Sequence, residues 1–104
     1  MIKHIVMWKL IDYYEGKTKN EIAETIKENI EALKEVIPQI KEVEVGINFN
    51  SSDAAFDLSL YSVFDSREDL EIYQNHPQHL KIAEYIAKVR TQRVVCDYEF
   101  NGDN

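Results

Sequence analysis

The most constraining feature of this chain is a first strand whose two faces are both apolar. Over residues 2–11, alternation puts His4, Val6, Trp8 and Leu10 on one side and Ile5, Met7 and Ile11 on the other. An antiparallel sheet that packs helices on one side ordinarily keeps its other side polar. A strand with two greasy sides therefore needs two covers, its own helices on one side and something further on the other. A domain of 104 residues buries only about 60–70% of the surface its unfolded chain exposes, so burial against a partner would add stability.

The rest of the chain alternates between strand and helix signals. Asp12 to Lys19 is polar and contains Gly16, and Thr18 with Glu21 has the spacing of a capping box, which predicts a helix start. Ile22, Ile26, Ile30, Leu33 and Ile37 then form one apolar stripe, with Glu24, Lys27, Glu28, Glu31, Lys34 and Glu35 on the remaining surface and Pro38 as the stop. Val43, Val45, Ile47 and Phe49 alternate with polar neighbours and predict a second strand. Asn50 to Asp53 turn the chain, and residues 55–64 make a third strand paired with the second as a hairpin. Ser66 and Asp69 open a short helix that ends near Asn75, in which Leu70 and Tyr73 share a face. Pro77 suits the first turn of a further helix running to about residue 90, with Leu80, Ala83, Ile86 and Val89 as its expected buried stripe. In the last strand, Arg93 to Phe100, the residues Val94, Cys96, Tyr98 and Phe100 oppose Arg93, Val95, Asp97 and Glu99. Residues 101–104 are expected to fray, and nothing divides the chain, which reads as one domain over residues 1–104.

Composition excludes several classes of function. Hydrophobic residues make up 44% of the chain, too many for a disordered segment. The net charge of -7, with lysines scattered among glutamates, offers no basic stripe to nucleic acid. The N-terminal apolar run meets Lys9 and Asp12 too soon to span a bilayer and lacks a cleavage site, so no membrane association and a cytoplasmic location are expected. Cys96 is the sole cysteine and reads as a small buried hydrophobe. Three glycines form no phosphate loop, and the HxxH of His76 and His79 lacks a patterned carboxylate, so neither a cofactor nor a metal is expected.

What remains for chemistry is small. His4, His76 and His79 are all the histidines, and the last two open a helix one turn beyond Tyr73. An imidazole near its ordinary pKa of about 6.5 can exchange protons at neutrality, and a tyrosine hydroxyl beside it could polarise a substrate oxygen. Proton abstraction beside a carbonyl is the reaction class such a set can serve. The plainer reading is that these histidines cap helices and fill a strand.

The order strand, helix, strand, strand, helix, strand is that of an α+β, ferredoxin-like βαββαβ domain with a four-stranded antiparallel sheet. Three segments carry a resemblance further: Ile2-Lys3-His4-Ile5-Val6, the run from Phe64 to Leu70, and Tyr73-Gln-Asn-His76-Pro77-Gln-His79. Together they resemble the stress-responsive dimeric α/β-barrel, or Dabb, family over nearly the whole chain. The resemblance implies a homodimer joined through the open sheet faces into a barrel, with Ile5, Met7, Val63 and Val95 as expected interface residues. It also implies a pocket between sheet and helices, with His4, Val6, Leu58 and His76 as ligand-binding residues and Tyr73 and His79 as the catalytic pair. That pair matches the Tyr–His pair of a plant polyketide cyclase in the family, which closes a ring by aldol-type proton transfer; a further strand histidine of the cyclase falls near Leu58 here. The expectation is therefore a binder of a small apolar or carbonyl-containing molecule, with a cyclase-like lyase as the alternative. A non-catalytic assembly protein and a monooxygenase of the related dimeric barrels are the competing readings.

Overall fold

The computed structural model describes residues 1–101 of the chain. Its elements in order are β1 (Ile2–Leu10), β2 (Tyr13–Tyr14), β3 (Lys17–Thr18), α1 (Lys19–Ala32), β4 (Ile40–Ile47), β5 (Leu58–Phe64), α2 (Arg67–Asn75), α3 (Pro77–Val89) and β6 (Arg90–Glu99). One antiparallel sheet has the order β4-β5-β1-β6, which puts the most apolar strand in its interior. Among the described residues, no helix is long and apolar enough to cross a membrane.

Local chemistry explains the element boundaries. β2 and β3 form a miniature hairpin around Glu15 and Gly16, both at positive φ (46° and 83°), the backbone that a two-residue hairpin turn requires. Thr18 then closes a complete capping box with Glu21, each side chain bonding the other's backbone N–H. α1 stops before Pro38, at Ala32, and a short 3₁₀ turn at Leu33–Glu35 lets Leu33 and Ile37 still reach the core. Ser66 caps α2 through the Asp69 N–H, and the His76 ring caps α3 by accepting the Gln78 N–H.

The helices cover one sheet face, where Val6, Trp8, Leu58, Leu60 and Val45 meet Ile22, Ile26, Ile30, Ile86 and Val89. The β4 border of the sheet is engaged by side chains at Val45. The Val45 N–H donates to Glu31 and its carbonyl accepts from Lys27, so two side chains of α1 occupy hydrogen-bonding groups that would otherwise face an incoming strand. Burial pushes the Glu31 carboxyl up, but Lys27 and the Val45 N–H outweigh it and hold the group below its usual value.

Several expectations are corrected. Leu80 is 50% exposed, because the buried stripe of α3 runs through Ile82 and Ala83 to Ile86 and Val89. Phe49 lies beyond the end of β4 and is fully solvated. Cys96 is exposed, because β6 is the border strand and this residue pairs with Ile5 on the face away from the helices. Of the four expected interface residues, Ile5 and Met7 do lie on that open face, and Met7 is exposed. Val95 does not: it pairs with Val6 and shares the helix-facing side, leaving Val94, Cys96 and Tyr98 as the open-face residues of β6. Val63 is on the open face but only 1% exposed in the single chain, lying in register between Lys3 and Glu42. The expected fraying covers residues 101–104, of which 102–104 lie outside the described residues.

Candidate functional site

The helix-covered layer is not filled throughout. Between the β1–β6 side of the sheet and α2 and α3 lies a cavity of about 160 Å³, close to the size (roughly 150 Å³) that takes one aromatic ring. Most of its wall is apolar, from Val6, Trp8, Leu60, Ile82 and Ile86, and its polar groups are His4, Tyr73, His79, Arg90 and Arg93.

Each polar side chain is placed by an identifiable element. His4 alternates onto the helix-facing side of β1 and is 3% exposed. Its Nδ1 lies 2.5 Å from a carboxylate oxygen of Asp97, the residue opposite it on β6. A carboxylate can only accept, so the Nδ1 carries the proton and Nε2 is the remaining nitrogen. His79, one turn into α3, has its Nδ1 3.0 Å from the Gln74 carbonyl, which fixes the same tautomer by the same logic. Burial pushes the His79 pKa down; the Gln74 carbonyl opposes this, while His4, Arg93 and His76 add to it. At neutral pH the ring is therefore an uncharged base with Nε2 free to accept a proton.

Tyr73 lies in the last turn of α2 with its ring 4.5 Å from that of His79 and 6.2 Å from that of His4, packed on Phe64. Burial raises its pKa, so the hydroxyl stays protonated and can donate to a ligand oxygen. A carbonyl oxygen bonded to Tyr73 beside a C–H facing a neutral imidazole is the arrangement in which a proton could be abstracted.

The structure thus brings together His4, Val6, Tyr73 and His79 and separates the other two expected site residues. Leu58 is fully buried at the opposite end of β5, next to Trp8 and Ile47 in register, and does not reach the cavity. His76 spends its ring nitrogen on the α3 cap and does not line the cavity either. Asp97, Arg90 and Arg93 were not anticipated. The signal for Asp97 and Arg93 was present in the alternation of β6, which groups them, and needed only the register that sets that face against His4 and Trp8; Arg90 reaches the same face through a register shift. Among the described residues, no group of three or more His, Cys, Asp or Glu side chains could hold a metal.

Fold and cavity together define a ferredoxin-like α+β protein with a ligand-sized chamber under its helices. The chain belongs to the stress responsive A/B barrel domain family, whose model matches residues 2–100. A dimeric protein of unknown function and ferredoxin-like fold from Bacteroides fragilis is 37% identical, with a TM-score of 0.84 over 95% of each chain. A dimeric ferredoxin-like protein of unknown function from Thermobifida fusca is 22% identical, with a TM-score of 0.80 over 95% of this chain and 90% of that one. A hydroxynitrile lyase from Passiflora edulis is 20% identical, with a TM-score of 0.78 over 99% of this chain and 95% of that one, a likeness of fold alone. No curated protein matches the chain in sequence.

Proposed function

We propose that this protein is a homodimer that binds one ring-sized, carbonyl- or phenol-bearing molecule in the cavity beneath α3. The observation that carries the reading is the pair of imidazoles, His4 buried and His79 half-buried, each with Nδ1 committed to an acceptor and Nε2 left over, on the wall of a mostly apolar chamber. Apolar pockets with a few convergent polar groups and a perturbed titratable residue are where small ligands bind. The homodimer is supported by the dimeric relatives and by Met7, Val94 and Tyr98, three large apolar side chains exposed on the open sheet face.

A second reading is favoured by the Tyr73–His79 contact: proton transfer on the bound carbonyl compound, as in a lyase or cyclase. The absence of a histidine at Leu58 separates this site from that of the polyketide cyclase, so the specific ring closure is not part of the proposal.

The experiment is a thermal-shift and NMR screen of small aromatic ketones and phenols against the wild type, Tyr73→Phe and His79→Ala. Wild-type responses that shrink in the variants are expected; equal responses in all three would remove the reading. Sedimentation of the same wild-type samples should give a species of twice the chain mass, and a persistent monomer would remove the dimer.

A further inference from the structure

We infer that the molecule held in this cavity is a carboxylic acid, its carboxylate gripped by the guanidinium groups of Arg90 and Arg93. The inference rests on the cavity reading above and narrows it.

The chain has three arginines among 12 basic residues and carries 19 acidic ones. Arg67 has Glu99 at 3.3 Å. Arg90 and Arg93 have no ion-pair partner among the described residues, and both line the cavity.

Their shared orientation has a structural cause. Residues three apart on a regular strand point to opposite faces. Here Trp8 pairs with Arg93, Lys9 with Gln92 and Leu10 with Arg90, so Thr91 is the extra residue of a bulge. That bulge returns Arg90 to the helix-facing side that Arg93 already occupies, the kind of re-aiming bulges perform beside binding sites. Two arginines bordering one space on the same sheet face offer planar guanidiniums that match a carboxylate better than any neutral group.

The cavity also has the polarity of such a ligand. α3 lines it with His79, Ala83 and Ile86 on one helix face, and Arg90 follows as the extended C-cap. His79 stands at the start of α3 beside Tyr73 and Arg90 at its C-cap, with apolar wall between them. A ring acid anchored at the arginines would lay its body on Val6 and Trp8 and direct its far end toward Tyr73 and His79.

The test uses benzoate and benzamide, two probes of one shape that differ in charge, titrated calorimetrically into the wild type, Arg93→Gln and the Arg90→Gln/Arg93→Gln double variant. Both arginines are exposed, so the core is untouched; should the double variant lose its fold by circular dichroism, Arg93→Gln alone carries the comparison. The wild type should bind benzoate about tenfold or more tighter than benzamide, as a charge-assisted pair allows, and salt should weaken benzoate alone. The preference should collapse in the variants while benzamide affinity holds. Equal wild-type affinities, or a benzoate preference that survives both substitutions, would overturn the acid while leaving the cavity reading intact. Failure of both probes to bind would overturn both.

Discussion

The two ends of the layer between sheet and helices are built to different rules. Beneath α1 it is solid: Ile22 and Ile26 have no exposed surface and interlock with Val45 and Leu58. Beneath α3 the same layer holds a chamber and two imidazoles. The hollow end is not simply underpacked, because His4 and His79 each have a hydrogen-bond partner. Burial at one end carries the stability, and the other end is free to carry polar groups that contribute little to it.

The largest effect should come from the solid end. Ile26→Ala should cost about 2–5 kcal/mol in urea unfolding, as deletion of a fully buried aliphatic does, while the folded fraction binds ring compounds as before. A change in ligand affinity as large as the change in stability would erase the distinction between the ends.

Asp97→Asn comes next. It replaces a charge-assisted bond with a neutral one, at about 1–2 kcal/mol, and releases the His4 tautomer. Nitrogen chemical shifts of the His4 ring report the release directly. Shifts identical to wild type would mean that Asp97 does not set the tautomer.

The smallest effect is on pH dependence. Burial holds the His79 pKa below its ordinary 6.5, so the unfolded chain binds more protons than the folded one as pH falls past that value. The stability from this neutral ring is therefore full above pH 6.5 and is lost as pH falls toward the folded pKa. Thermal melts from neutral to acid pH should show a decline that His79→Gln lessens, and superimposable profiles would show that His79 is not held neutral by the fold.

Much of this architecture was legible from pattern. The two-sided β1, the Thr18–Glu21 and Ser66 caps, and the α1 stripe all depend on neighbours close in sequence, where alternation and capping chemistry act directly. The grouping of His4, Tyr73 and His79 was reached through family resemblance, and the distances bring those rings together. What escaped depends on register. Alternation says which residues of β6 share a side without saying which side meets Val6, so neither the helix-facing position of Val95 nor the approach of Asp97 and Arg93 to His4 and Trp8 can be read from it. The Thr91 bulge leaves no mark that periodicity can read. Residue type and spacing predict burial for Cys96 and Leu80, whose exposure follows from a border position and a slightly rotated helix face.

The clasp of Lys27 and Glu31 on Val45 has a consequence for how copies of this molecule can meet. Fibrillar growth by strand addition needs two receptive borders per molecule, so that each newcomer presents a fresh template to the next. Here the Val45 groups within β4 are already engaged, so a strand arriving at that border meets occupied hydrogen-bonding groups. A destabilised Lys27→Ala/Glu31→Ala chain would free those groups and with them a route to open-ended stacking.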